Sequence, residues 1–362
     1  MFNVQFRHFV RIEVLAAALA ALVLISRRVT PEQALRVIDV NLLLLLFALL
    51  VTVEILRASG YLDAAVRATV SRFRTTRGFG IALVAFSGAL ATLVTNDVAL
   101  FVVIPFTVIA SRFTDFDVED AVILEIVAAN LIGCLTPLGN PQNLFVYHRS
   151  GWTPGMFIGA MLPFVLWCAA GLLAAIFLLG PSHPMTRSEM APGERKPFAA
   201  AAGMICFLLV LLEIARVTDA WPAALAAAAA GAYFLRGRLL RIDFSIIPLF
   251  FCAFIIVEGL RSFAFELTGG IYFSSIALSQ VISNVPATIL LTPFANEWRE
   301  LLYGVNAGGC GTIIASLANL LGWRIYVRES NRDPRFFRRL TAINFAFLAF
   351  AAAGGCLLLR AL

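Results

Sequence analysis

Two short clusters of polar residues interrupt otherwise apolar runs, Thr95-Asn96-Asp97 and Ser283-Asn284. Amides and hydroxyls offer donors and acceptors without fixed charge, and a lone carboxylate adds a place for a cation or a proton. Such a set ligates ions and polar solutes. Two further interruptions share this character. Thr136-Pro137-Leu138-Gly139-Asn140-Pro141-Gln142-Asn143 holds two prolines and a glycine, so no helix runs through it. Gly308-Gly309-Cys310-Gly311-Thr312, continuing to Ser316 and Asn319, uses glycine instead, which lets backbone approach a ligand closely. The candidate substrate and ion ligands are Thr95, Asn96, Asp97, Thr136, Gly139, Asn140, Gln142, Asn143, Ser283, Asn284, Thr312, Ser316 and Asn319. Asp97 is the first candidate for coupling to an ion gradient, and Glu125, deep in an apolar run, is the second. Na+ held by Asn96, Asp97 and Asn284 is the expected metal, as a coupling ion; no other cofactor is expected.

The elements that carry these residues must lie in lipid. Of 362 residues 60% are hydrophobic and 14% charged, against roughly 45–50% and about 25% in soluble domains. This excludes a soluble globular enzyme, a disordered chain and a disulfide scaffold. A crossing needs about 20 residues, so the length accommodates on the order of ten. The net charge of +6 comes from arginines clustered between apolar runs, a topology signal and not a nucleic-acid surface. The six cysteines are scattered singly and read as packing residues. No cleavable signal peptide is expected before the first run. His8, His148 and His183 fall in predicted loops, and no HExxH, GxSxG or Walker A sequence occurs, so neither an intramembrane enzyme nor direct ATP coupling is expected.

Full-length apolar runs lie near 10–26, 36–57, 156–180, 198–217, 219–235, 244–258 and 336–360, and interrupted ones at 79–112, 121–147, 271–296 and 300–323. Arginine clusters between 57 and 77, 187 and 196, 236 and 241, and 324 and 339 share one side only if 79–112 and 271–296 return to the side they entered. The acidic run Asp115, Asp117, Glu119, Asp120 is expected to be a solvated loop. FSGALATLVTNDVALFVVIPF aligns with SSIALSQVISNVPATILLTPF, and ANLIGCLTPLGNPQNL with VNAGGCGTIIASLANL. These alignments pair Asn96 with Asn284, Asn130 with Asn306, Thr136 with Thr312 and Asn143 with Asn319, whereas Asp97 meets Val285. The expected fold is an all-α polytopic membrane protein of two inverted repeats, each with a re-entrant hairpin and a discontinuous helix. Residues 1–180 form the first repeat, 181–197 a cytoplasmic linker, 198–218 an extra span that inverts the second half, and 219–362 the second repeat. Inverted repeats place their sites at the repeat interface near the bilayer midplane.

TNDVALFVVIPF, ANLIGCLTPLGNPQNL and SNVPATILLTPF resemble the ion transporter superfamily of ArsB-type arsenite permeases, NhaD-type antiporters and divalent-anion/sodium symporters, and within it the YbiR-like anion permeases. The resemblance spans nearly the whole chain and implies a homodimer with an elevator-like motion. The symporters carry Ser-Asn-Thr at both hairpin tips, where this chain has Thr95-Asn96-Asp97 and Ser283-Asn284-Val285. The expected function is secondary transport of a small anion or oxyacid across the cytoplasmic membrane, driven by H+ or Na+. The alternatives are an NhaD-type Na+/H+ antiporter and an ArsB-type arsenite/antimonite efflux permease.

Overall fold

The computed structural model describes residues 17–26, 29–38, 40–180, 182–186, 194–214, 217–242, 244, 246–261, 270–330 and 334–361. The expectation about a signal peptide falls on residues 1–16, outside them. Among the described residues there are helices and no strand; Thr75 and Pro184 form an isolated bridge. Numbered from Pro31, the helices of the first half are α1 (Pro31–Val37), α2 (Val40–Ala58), α3 (Tyr61–Val70), α4 (Thr76–Leu93), α5 (Asn96–Ala110), α6 (Val118–Leu131), α7 (Pro141–Ser150) and α8 (Pro154–Leu179). The second half holds α9 (Pro197–Ile214), α10 (Ala220–Phe234), α11 (Ile246–Arg261), α12 (Gly270–Ile282), α13 (Asn284–Leu291), α14 (Trp298–Ala307), α15 (Leu317–Ser330) and α16 (Pro334–Ala361). By length and composition α2, α4, α8 and residues 335–361 of α16 can each cross a bilayer.

Each interrupted run breaks where its sequence stops supporting a helix. Between α4 and α5 only Val94 and Thr95 are extended, and Thr95 makes no side-chain cap bond. After α6 the chain passes through two short 3-10 turns, Gly133–Leu135 and Pro137–Gly139, before Pro141 starts α7 at its first position, where a missing N–H costs nothing. The α14–α15 break is the glycine segment 308–311, with Gly311 at φ +107°.

The chain packs into two compact units, Met1–Leu62 with Gly193–Glu266 and Asp63–Pro192 with Leu267–Leu362, so each draws on both halves of the sequence. In the first, α2 meets α9 and α10 through glycines: a Cβ on Gly203 would lie 2.7 Å from Leu56, and one on Gly231 2.7 Å from Val51. Phe47 stacks on Phe244 with ring centroids 5.4 Å apart.

The second unit contains all four broken segments. Its α12–α14 seam follows the small-residue logic of membrane helices, in which close backbone approach replaces a hydrophobic drive. A Cβ on Gly304 would stand 2.6 Å from the Tyr272 carbonyl oxygen and 2.7 Å from Ser275 Cβ; one on Gly308 would stand 2.8 Å from Ser279 Cβ. Ser275 and Ser279 turn their hydroxyls back onto the carbonyls of Ile271 and Ser275, satisfying them within the helix. Gly304→Leu should therefore lower stability by about 3 kcal/mol or more through overpacking, read as a lower midpoint of thermal unfolding in detergent micelles; an unchanged midpoint would show that the seam can open.

Residues 182–186 strap the mouth of the α4–α5 hairpin. Thr76 N–H donates to the His183 carbonyl, Met185 N–H to that of Arg74, and Thr186 donates to Asp115 through both its N–H (3.0 Å) and its hydroxyl. These bonds hold the Asp115 carboxyl below the usual range. The acidic run is thus not simply solvated. Asp117 caps α6 by accepting from the N–H groups of Glu119 and Asp120, and Asp120, 5% exposed, pairs with Arg339. The cap and the fixed cation draw these carboxylates into structure. Arg324, counted with the basic clusters, is also buried, because it sits two turns inside α15.

Candidate functional site

The side chains at the breaks meet in one hydrogen-bonded amide network inside the second unit. Asn130 near the end of α6 and Asn306 near the end of α14 are its two hubs. Asn130 Nδ2 donates to Asn319 Oδ1 at 2.9 Å, and Asn306 Nδ2 donates to Asn143 Oδ1 at 2.8 Å. Each recipient then fixes its own break: Asn319 donates to the carbonyls of Gly309 and Thr312, Asn143 to those of Cys134 and Thr136. The hub acceptors are used in parallel. Asn130 Oδ1 accepts from Ser316 Oγ (2.9 Å) and Asn306 Oδ1 from Asn140 Nδ2 (3.1 Å). The aligned residues of the two halves therefore make aligned bonds.

The halves differ at the tips. Asn96 Nδ2 donates to Asn130 Oδ1 at 3.0 Å, while its own Oδ1 accepts from the Asp97 N–H. The corresponding place on Asn306 is taken by Gln142 Nε2, at 3.1 Å. Asn284 is instead held by its backbone, whose N–H donates to the Ala315 carbonyl and whose carbonyl accepts from Thr288, and its side-chain amide makes no hydrogen bond among the described residues. That amide reaches to 2.9 Å from where a Cβ on Gly309 would be, so any larger residue there would displace it.

Most polar groups in the network satisfy one another. Two that do not are acceptors: Asp97 Oδ1 and Asn140 Oδ1 are buried without a partner. Buried polar atoms are normally paired, so these two, with the free Asn284 amide, are the places where a ligand gains most. Among the described residues no three acidic, His or Cys side chains are placed to hold a metal ion, so a cation here would depend on Asp97 and neutral oxygens.

Other candidates have structural work. Thr136 Oγ1 donates to the Thr92 carbonyl at 2.6 Å and Thr312 Oγ1 to the Gln280 carbonyl at 2.9 Å, so both hydroxyls tie a break to the end of its hairpin helix. Gly139 is there for space, since a Cβ would fall 1.8 Å from the Gly133 carbonyl oxygen. Ser283 turns the second tip at φ +73°, ψ 152°, a region favourable only to glycine; Thr95, with ψ 152°, turns the first at φ −71°. Ser283→Gly should raise stability by about 1 kcal/mol, the strain less the entropy of glycine. A lower unfolding midpoint would refute the strain.

Three residues outside the candidate set are integral. Asn130 and Asn306 were visible in the sequence as an aligned pair within apolar surroundings. Gln280 had no such signal: it donates to the Gly308 and Cys310 carbonyls and accepts from the Thr312 N–H, clamping the second break. Glu125 lies outside the network, bonded to Thr107.

A helical bundle in lipid whose broken helices bring neutral amides together belongs to the class of membrane transporters. The profile of the citrate transporter family, CitMHS, matches residues 2–309, and the chain belongs to that family. It is 33% identical over 338 residues to an uncharacterized transporter of Methanocaldococcus jannaschii, covering 89% of this chain and 90% of that one. It is 31% identical over 340 residues to the inner membrane protein YbiR of Escherichia coli, covering 91% and 90%. The human P protein is 28% identical over 160 residues, 40% of this chain and 19% of that protein.

Proposed function

We propose that the protein is a secondary active transporter of the cytoplasmic membrane that moves a small anion or oxyacid, coupled to H+ or Na+ through Asp97. The observation that carries this reading is that a network otherwise closed on itself leaves two buried acceptors, Asp97 Oδ1 and Asn140 Oδ1, without a partner, while the Asn284 side-chain amide makes no hydrogen bond among the described residues. A bare anion finds the Asn284 donor there but also meets two acceptors. A solute with hydroxyl protons, or an anion accompanied by a cation, answers both kinds of group. The family name makes citrate the first solute to test. Purified protein in liposomes should accumulate labelled citrate, or another small oxyacid from a panel including arsenite, only under an imposed H+ or Na+ gradient. Absence of gradient-dependent uptake across the panel would overturn the reading.

The tip carboxylate also favours a second reading, Na+/H+ antiport without an anion. In the same liposomes, dissipation of a pH gradient by Na+ with no solute added would select it.

The proposed architecture is two inverted repeats with re-entrant hairpins at 79–112 and 271–296, working as a homodimer. In support, the start of the first hairpin at Thr75 and Thr76 and its return at Asp115 both bond the strap 182–186. All the network residues lie in one unit, which suits that unit as the moving body of an elevator. Cysteines placed at 75 and 115 should react with an impermeant reagent from the same face of the membrane; labelling from opposite faces would exclude a re-entrant hairpin.

A further inference from the structure

Away from the amide network the bundle buries a second carboxyl. Glu125, midway along α6, is wholly buried; Thr107 Oγ1 lies against its Oε1, and Oε2 has no partner. Ser87 Oγ donates to its main-chain carbonyl at 2.9 Å. Val122 and Ile126 next to it on α6, and Ile104 and Val108 next to Thr107 on α5, are buried. On the helices packed around α6, the charged residues are Arg77 on α4, Asp97 on α5, Arg299 and Glu300 on α14, Arg324, Arg328 and Glu329 on α15, and Arg335, Arg338, Arg339 and Arg360 on α16; α8 has none. Among the described residues none of them pairs with Glu125, and the Arg339 guanidinium is engaged by Asp120. A carboxylate here would face hydrocarbon with one hydroxyl for company. A neutral acid removes the charge while Thr107 Oγ1 still donates to Oε1.

A cavity of about 380 Å³ opens on the strapped face between α4, α6 and the end of α8, lined as far as Leu124 but not by Glu125 itself. Its walls include Asp115, Asp117 and His183 and run along α4 from Thr76 to Val84 and along α6 from Asp120 to Leu124. Over eight residues a helix advances about 12 Å, so the walls reach well into the bundle. Leu124 is the chain neighbour of Glu125, and Val84 lies one turn before Ser87. The cavity therefore ends on the turn of α6 that leads into Glu125, and its walls carry three carboxylates, an imidazole and the Arg77 guanidinium, which donates to the Gly180 carbonyl.

We infer that Glu125 is a proton-binding site loaded through this cavity. A hydronium ion in the cavity gives its proton to the Glu125 carboxylate, leaving water and the neutral acid, and unloading reverses the step. Asn130 stands five residues further along α6, so a change of charge at Glu125 acts on the helix that carries a hub of the network. Its use in coupling rests on the transport reading; the proton and its route do not.

The test uses the full chain in lipid bilayers. Infrared spectra at neutral pH should contain the C=O band of a protonated carboxylic acid that Glu125→Gln lacks, Asp97→Asn retains and Thr107→Val shifts. Gly80→Phe places a ring in the cavity at a position where a Cβ meets no atom within 4 Å, and should slow the shift of that band in heavy water severalfold. A spectrum identical in wild type and Glu125→Gln overturns the proton site. Should Glu125→Gln fail to fold, an unmoved band in Thr107→Val does the same. Equal exchange in Gly80→Phe overturns the route. In liposomes Glu125→Gln should lose the pH-gradient dependence of citrate uptake and keep citrate exchange; unaltered dependence refutes the coupling role. If wild type moves no solute, the transport reading falls, and the proton site is decided by the infrared bands.

Discussion

Asp97→Asn should abolish accumulation of substrate against its gradient while leaving one-for-one exchange in place. The charged form is what the substitution deletes. Asp97 is buried in the first turn of α5, where the helix N-terminus favours a carboxylate, but among the described residues it has no cation beside it and one oxygen without any partner, so its charged form still carries a desolvation cost. In the proposed cycle it binds a cation or a proton for part of the time. Asparagine keeps the volume, and the bond that ties this position to the tip runs from the Asp97 main-chain N–H to Asn96 Oδ1, which the substitution leaves intact. The variant should thus fold, and a labelled solute should equilibrate across the liposome membrane without concentrating. Normal accumulation by Asp97→Asn would reduce the carboxylate to a structural group.

Asn306→Leu and Asn284→Ala should behave oppositely, although both asparagines belong to aligned pairs of the two halves. Asn306 joins Asn143, Asn140 and Gln142. Leucine would leave Asn143 Oδ1 and Gln142 Nε2 without their bonds and Asn140 Nδ2 with only its 3.4 Å contact to the Asn130 carbonyl. Unsatisfied groups of this kind cost about 1–3 kcal/mol each, so a loss of about 3–5 kcal/mol is expected. The Asn284 side chain has no such bonds to lose. Asn284→Ala should cost about 1 kcal/mol or less yet remove uptake, because the free amide is what a solute would use. Unfolding midpoints and uptake measured on both variants separate the cases. Equal stability loss would mean that Asn284 belongs to the frame and not to the ligand.

The breaks were legible in the sequence because proline and glycine are crowded there, Pro137, Gly139 and Pro141 in one half and Gly308, Gly309 and Gly311 in the other, whereas the single prolines Pro105 and Pro163 are carried inside helices. The internal alignment also brought the right asparagines together, since it pairs residues that occupy equivalent places. The alignment could not separate ligands from scaffold. Thr136 and Thr312 have the composition of ligands, but their hydroxyls turn onto carbonyls more than thirty residues away, a choice set by packing. The partition into two units was hidden for a related reason: each gathers segments from both halves, and of the three chain crossings between them only the one at 192/193 falls in the polar linker 181–197, while those at 62/63 and 266/267 carry no comparable mark. Gln280 went unread because a single glutamine on an apolar helix carries no pattern.

The amide network has one property that bears on every experiment in which acidity is varied. Asparagine, glutamine and serine neither gain nor lose protons between acid and alkaline conditions in which a membrane survives, so the frame of the site keeps one geometry across that range. Arginine at depth is equally constant. Among the described residues of the second unit, the buried carboxyls that no cation engages are Asp97 and Glu125, whereas Asp120 is held by Arg339; removing the first two should therefore blunt any response to acidity that arises around the network while leaving its frame unchanged.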